Sequence, residues 1–458
     1  MATQSSTKAF CNWMYATTFE DFPPDVRRLV SLAVYDCVGG WLACSMIPLA
    51  HRMVDFTELL GGRPDCSVVG FPMRTSALNA AVVNGTLGHA DEVDAIEGDG
   101  LGAHIMAAVT AAALSAGQMA KTSGQEALRG VVLGYELTKR VNRTAAQVRR
   151  DTGSHGVGAM DPGNTMGATA AAGIALGLPR DQMDIAFCLA AAMASGITPF
   201  ARETEHMLKS FVRGGLGARN GVAAALMAKV GYDAPRDVFD GPSGFFHTRL
   251  GVETPGPELL TGLGEDYAIR SVVFKRACGG GPTQAPRQIL LDLMAEHHLT
   301  AEDIAAIQAE VEPAGHTTIT HVHHPSIEGK DVLAVAAVYG GRGFKETYDG
   351  SGRRNPAVLD LRERVSITPR NDWTGRDDHF RAVVTITTRD GRTLRQEARY
   401  RPMTEADLDA KFLDLVTLRA GEAKAKQLSP LLKGLDTAAN VDDVMSELAL
   451  PAATIASD

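Results

Sequence analysis

The residues best equipped for chemistry crowd into one stretch, 84–104, which reads NGTLGHADEVDAIEGDGLGAH. Its 21 residues include two histidines, five carboxylates and five glycines. Imidazole beside carboxylate is general acid–base equipment, because one group moves the proton and the other sets its tautomer and charge. His104 stands directly before the apolar run IMAAVTAAALSAG. At a helix N-terminus the backbone dipole disfavours a protonated ring and favours a bound anion. The segment therefore reads as a pocket wall. The competing readings are a solvated acidic loop or a divalent-metal loop. The EF-hand pattern is not met, since no Glu stands at the twelfth position from Asp91.

Other stretches offer partners. His155 lies in a loop rich in Gly and Pro, just after Arg149 and Arg150. Lys209 heads KSFVRGGLGARNG, with Arg213 and Arg219 following, a cationic and glycine-rich helix start suited to carboxylate. Lys275 and Arg276 precede Cys278 and the glycines from Gly279 onward. Cys278 is a candidate nucleophile, or simply a small core residue. His316, His321, His323 and His324 form the densest histidine cluster, and on a strand His321 and His323 would share a metal-competent face. The bland readings are a polar strand end for the histidines and solvated charges for the lysines. No GxSxG, HExxH, GxGxxG or P-loop occurs.

These groups must be held by helices. Apolar, often Ala-rich repeats with helical spacing predict helices over 25–45, 75–87, 104–118, 123–143, 165–176, 180–195 and 213–230. Ser123 with Glu126 reads as a capping box. The pattern changes near Ile269. Strands are predicted over 304–311 and 364–368, and a hairpin over 382–400 turns at Asp390-Gly391. A helix is expected over 285–295, helix returns behind Thr404 as N-cap, and 442–448 reads as a last short helix. The fold class is mainly α: a large all-α helical domain with an inserted smaller α+β lid domain. Its divisions are 1–265, 266–402 as the lid, and 403–458 as helices packing back on the first domain.

At 458 residues, 45% hydrophobic and net charge −9, the chain reads as a soluble globular protein of two or three domains. The acidic balance argues against nucleic acid or an anionic membrane as partner. The apolar run 34–50 is broken by Asp36, Gly39, Gly40, Ser45 and Pro48, so it reads as a core helix and not a membrane span. No signal peptide is visible, and six scattered cysteines without a CxxC fit a reduced, cytoplasmic setting.

With these residues in view, the chain resembles the MmgE/PrpD family of 2-methylcitrate dehydratases, cis-aconitate decarboxylases and iminodisuccinate epimerases. The resemblance rests on the joint order of YDCVGGWLA, SVVGFPMRTSALNAAVVNGTLGH, GYELTKR, TMGATAAAGIALGL, KSFVRGGLGARNGVAAALMAKVGY, DGPSGFF, FKRACGGG and TEADLDAKF. It implies a helical domain with an α+β lid, usually in a homodimer, and a metal-free site in the cleft between them. That site would act on a polycarboxylic acid with histidines, lysines and a carboxylate. Lys209 and Lys275 match the two family lysines, and His104 the later histidine. The family's H-x-x-D-F-D-D-T segment is HADEVDAI here, with Glu92 in the first aspartate's place and Asp94 matching the middle one. His155 aligns loosely with a G-[FW]-H-P segment. EGKDVLAV at 328–335 departs from the family's K-F-S-x-x-Y pattern and lacks its tyrosine.

The reading that follows is a cofactor-independent lyase on a hydroxy di- or tricarboxylic acid. His104 or His155 serves as base or acid, Asp94 or Glu92 orients it, and Lys209 and Lys275 complete the catalytic set. Asp91, His89, Arg213, Arg219, Arg276 and Gly279 are the candidate substrate contacts. No metal or other cofactor is called for. Decarboxylation or epimerisation of a similar acid is the alternative, and a catalytically silent binding homologue is the alternative of another class.

Overall fold

The computed structural model describes residues 5–98, 103–152, 160–197, 199, 203, 206–321, 324–375 and 378–451. Helix makes up 61% of it and strand 9%, so the fold is mainly α.

Several helices are buried on most of their surface, as apolar, Ala-rich sequences without a polar face require. Ala77–Leu87 and Ile105–Ala120 bury almost every residue, and Pro24–Cys44 does so from Val30 onward. Small residues let such helices touch through their backbones. A Cβ on Gly134 of the helix Gly124–Thr152 would stand 2.5 Å from the carbonyl oxygen of Gly167 in the helix Met160–Ala175. A Cβ on Gly214 would overlap the Gly85 carbonyl, 1.9 Å away. That second contact matters for function, because it seats the chain around Lys209 against the helix that delivers His89.

The segment expected as one helix over 213–230 is two. Phe211–Leu216 is a π-helical turn, and the α-helix runs Gly217–Lys229. The wider turn occurs where Gly214 and Gly215 press on Gly85 and Thr86, and such bulges re-aim side chains around functional sites. The helix expected at 165 starts at Met160, with Pro162 tolerated in its first turn. The helix expected to end at 143 continues to Thr152 through a helix-favouring polar stretch.

Two apolar cores divide the chain. The first gathers residues from Phe10 to Cys278 and again from Leu408 to Leu450, with Phe344 joining it from the stretch between. The second runs from Ala285 to Tyr400. It is built on a four-stranded sheet ordered Val365–Pro369, Ile304–Val311, Arg381–Thr388, Thr393–Arg399. The first pair is parallel and the others antiparallel, and the helix Gln284–Glu296 packs on the sheet. The Asp390-Gly391 turn closes the hairpin, with Gly391 at φ 89°. Thr404 caps the helix Glu405–Ala420 through a reciprocal box with Asp407. That helix lies on Pro24–Cys44, where the Phe412 ring stacks on Tyr35 at 4.3 Å.

The histidine-rich stretch differs from its reading as a strand. Pro313–Thr320 is a helix started by Pro313 and capped by Glu312, so His316 lies within it and His321 at its C-terminal end. The Nδ1 of His321 sits 3.0 Å from the Thr317 carbonyl oxygen, and His323 lies outside the described residues. Among the described residues no single helix is long and apolar enough to cross a membrane.

Candidate active site

Four parts of the chain converge on Glu92 and Asp94. The helix Ala77–Leu87 delivers His89. The two-residue strand Ile96–Glu97 pairs antiparallel with Val272–Val273, which lays Lys275 against the carboxylate segment. The turn before the π-helix brings His206 and Lys209. From the second core comes the loop holding His324 and Ser326, a few residues ahead of the helix Gly329–Tyr339. The C-terminal helix also holds the segment: buried Lys411 bonds the Val93 carbonyl at 2.7 Å and pairs with Asp36 at 2.7 Å.

Asp94 bridges two imidazoles. Its Oδ1 lies 3.1 Å from Nδ1 of His89 and its Oδ2 2.8 Å from Nδ1 of His104. An ionised carboxylate only accepts, so both rings carry their proton on Nδ1 and present a bare Nε2. The two rings lie 3.6 Å apart, centroid to centroid. The row continues from His89 to His206 at 4.9 Å and from His206 to His324 at 5.1 Å.

Glu92 gathers the cations. Lys275 donates to its Oε2 at 2.6 Å and to its carbonyl at 3.1 Å, and Lys209 bonds Oε1. His206 Nε2 sits 3.0 Å from the same Oε1. Glu92 and His206 both adopt left-handed backbone, at φ 53° and 56°. A non-glycine residue holds that conformation only when its surroundings compel it, and such strain concentrates at functional sites.

The protonation states follow. Burial pushes His89 and His206 down to about 3 and His104 to about 4. His324 is likewise pushed down to about 3 by burial. Burial works against ionised Glu92, but Lys209 and Lys275 outweigh it and hold the carboxyl well below its usual range. Burial also opposes ionised Asp94, yet His104, His89 and Lys275 around it prevail. Two carboxylates thus balance two ammonium ions amid neutral imidazoles. Asp91 is the exception: burial raises it to about 8, which keeps it uncharged at neutral pH.

These shifts predict how stability responds to pH. Four histidines are neutral in the fold and would protonate near 6.5 when unfolded, so the unfolded chain binds more protons between about pH 4 and 6.5. Their contribution is complete above pH 6.5 and is lost as pH falls toward the folded values. Asp91 has the opposite sign, being one carboxyl against four imidazoles. The melting temperature should therefore fall as pH goes from 7 to 5. A melting temperature that rises or stays level over that range would contradict the neutral set.

His89, Glu92, Asp94 and His104 place donor atoms within 4.8 Å of one another, a spacing that suits a metal ion. Both Nδ1 atoms are taken by Asp94, and Glu92 is held by two ammonium ions. The two carboxylates are thus already paired within the protein, as in an acid–base network, while Nε2 of each ring stays bare.

Several expected substrate contacts point elsewhere. Arg219 is exposed, and its guanidinium bonds Asn220. Arg276 pairs with Asp407 at 2.7 Å, away from the carboxylates. Arg213 is buried close enough to Lys209 to help lower that amine, whose pKa burial already depresses. Gly279 N–H meets the Glu92 carbonyl at 3.3 Å, a backbone anchor for that residue. Cys278 donates its thiol to the Asp91 carbonyl at 3.0 Å, and burial raises its pKa far above the ordinary value, which removes it as a nucleophile. His155 lies outside the described residues. Sequence reasoning missed His206, whose only signal was its place three residues before Lys209. It also left His324 as one of a polar cluster.

Models of the MmgE/PrpD N-terminal domain and C-terminal domain match residues 8–258 and 278–436. The chain belongs to the MmgE/PrpD family. Within this family member His89, Glu92, Asp94, His104, His206 and Lys209 fall in the N-terminal stretch and His324 and Ser326 in the C-terminal one. Lys275 lies between the two matched stretches. The chain is 28% identical over 289 residues to the cis-aconitate decarboxylase-like protein oryM of Aspergillus oryzae, covering 60% of this chain and 59% of that protein. It is 24% identical over 480 residues to a cis-aconitate decarboxylase of Aspergillus terreus, covering 97% of this chain and 96% of that enzyme.

Proposed function

We propose that this MmgE/PrpD protein is a cofactor-independent lyase that removes a proton α to a carboxylate and dehydrates a hydroxy di- or tricarboxylic acid. The observation that carries the reading is the Asp94 carboxylate held between Nδ1 of His89 and Nδ1 of His104. It fixes the tautomer that leaves His104 Nε2 basic, as a carboxylate orients the histidine of a hydrolase triad. Lys275 is fully buried, so it serves to hold Glu92 and Asp94 in place. Lys209 pairs with Glu92 but keeps its side chain 20% exposed, so it is the cation that can also meet a substrate carboxylate and the enediolate charge that develops on it. Arg213 adds a second positive charge beside it.

Decarboxylation of an unsaturated tricarboxylate is the second reading. It is favoured by the decarboxylase relative that matches across nearly the whole chain. Both routes pass through charge on a carbon next to a carboxylate, and both use the same cations.

The test is a panel of di- and tricarboxylates with EDTA-treated protein, read by ultraviolet absorbance of alkene formed or consumed and by carbon dioxide release. His104→Ala and Lys209→Ala should each lose at least about 100-fold in turnover, the low end for a positioned acid–base group, while still unfolding in one cooperative transition at a lowered melting temperature, since each removes a partner of a buried carboxylate. Full activity in both variants would overturn the assignment. A wild type inactive on every acid would favour a silent binding homologue.

A further inference from the structure

The proposed lyase still needs a source for the proton that a leaving hydroxyl takes. His104 is neutral and accepts. His89 and His206 are enclosed, with Nδ1 of His89 on Asp94 and Nε2 of His206 on Glu92. His324 differs from the other three rings in how it is held. Its Nδ1 lies 2.7 Å from the Ser326 hydroxyl oxygen and also faces the Ser326 backbone N–H, at 3.4 Å. A backbone N–H only donates, so this Nδ1 carries the lone pair and the proton sits on Nε2. His324 thus has the tautomer opposite to that of His104, at the other end of the row of rings.

Behind Ser326 lies Asp91. Asp91 is 3% exposed and Ser326 1%. The Asp91 side chain faces the Ser326 hydroxyl and the Cys278 thiol, while its Oδ2 is buried with no partner. A buried carboxyl with an unmatched oxygen is costly when ionised and much less so when it holds its proton. The charged and titratable groups near it are Glu92, Lys275, Cys278 and Cys44, and those near His324 are His206, Glu92, Arg353 and Lys209.

Resting on the lyase reading above, we propose that Asp91, Ser326 and His324 form a proton-donating relay that spans the junction of the two cores and protonates the departing hydroxyl. The α C–H bond breaks, its proton goes to His104 Nε2, and its electron pair enters the enediolate. The β C–O bond then breaks, its electron pair leaves with oxygen, and that oxygen takes the proton from His324 Nε2. Ser326 passes its hydroxyl proton to Nδ1 and takes the Asp91 proton in return. Water departs, Asp91 is left ionised and His104 protonated, and solvent returns the proton from one to the other. The relay also gives the α+β layer a chemical role, since two of its three members come from the matched C-terminal stretch.

The partial reactions separate this proposal from the reading beneath it. Wild type, His324→Gln, Ser326→Ala and Asp91→Asn are incubated in D2O with citrate, malate and cis-aconitate. Proton NMR follows α-hydrogen exchange and net elimination or hydration. The relay predicts that all three variants keep α-exchange within about threefold of wild type but lose about 100-fold or more of net turnover, the scale of general acid catalysis. It also predicts that wild-type turnover falls above about pH 8, as Asp91 ionises, and that Asp91→Asn abolishes this limb. Ser326→Thr, which keeps the hydroxyl, should restore most of the turnover. Parallel loss of exchange and turnover in the variants, or no loss of either, overturns the relay and leaves the lyase reading standing. A wild type that neither exchanges nor converts any of the three acids overturns the lyase reading and the relay with it.

Discussion

Asp94→Asn is expected to lower turnover by about 100- to 10,000-fold while the protein stays folded, the range seen when a histidine is held in the wrong tautomer. The side chains are isosteric, so packing survives. The chemistry does not. Asp94 accepts from two Nδ1–H groups at 3.1 and 2.8 Å, one with each oxygen. Asparagine offers one acceptor oxygen and an NH2 that only donates. Whichever ring meets the NH2 must turn its lone pair to Nδ1 and carry its proton on Nε2. If that ring is His104, the proposed base is already occupied by a proton. If it is His89, a proton enters the space between its Nε2 and Glu92 Oε1, which lie 3.7 Å apart. Turnover on an accepted acid, with the melting temperature as a fold control, reads the result. A loss below about threefold would remove Asp94 from the mechanism.

Lys275→Met is expected to have the largest effect on stability, a loss of about 3–5 kcal/mol, the usual consequence of removing one partner from a buried ion pair. Methionine fills similar space, so the change isolates the charge. Lys275 is fully buried, lies 2.6 Å from Glu92 Oε2 and 3.7 Å from Asp94 Oδ1, and also bonds the Glu92 carbonyl. Without it, buried Glu92 keeps Lys209 as its one ammonium partner and Asp94 keeps only its two imidazoles. The left-handed backbone of Glu92 loses one of its two anchors, the other being Gly279 N–H. Guanidinium unfolding measures the loss. Adding Glu92→Gln should recover part of it, because the uncompensated charge is then gone. A loss under 1 kcal/mol, or no recovery in the double variant, would show that Lys275 does not hold the network.

Local features of the fold were legible in the sequence because local chemistry decides them. The Asp390-Gly391 turn, the Thr404 cap and the Ala-rich helices each follow from a few neighbouring residues. The wrong expectation at the histidine cluster has a local cause as well. Pro313 and the Glu312 cap begin a helix there, and those signals outweigh the β-branched threonines.

The site was legible in part. Glu92, Asp94, His104, Lys209 and Lys275 stood out by residue type, and the structure brings these five together. Arg219 and Arg276 carried the same signal and lie elsewhere. Helix phase supplies the reason on one side. With ordinary helical spacing Arg213, four residues on, already shares a face with Lys209, while Arg219, six residues further, lies about a third of a turn away, so that one is buried beside Lys209 and the other is exposed and bonds Asn220. A count of charges along the chain contains no such phase.

By itself the sequence determined the kind of molecule: a mainly α chain of this family, with a carboxylate and imidazole segment supplied with lysines. These are properties of composition, periodicity and motif order. Tertiary structure alone decided which imidazoles are neutral, which nitrogen of each is bare, and that Asp91 holds its proton where Glu92 and Asp94 do not. Protonation depends on burial and on neighbours brought from far along the chain. His206 meets Glu92 across 114 residues and Lys275 meets it across 183, distances that only the packed helices close.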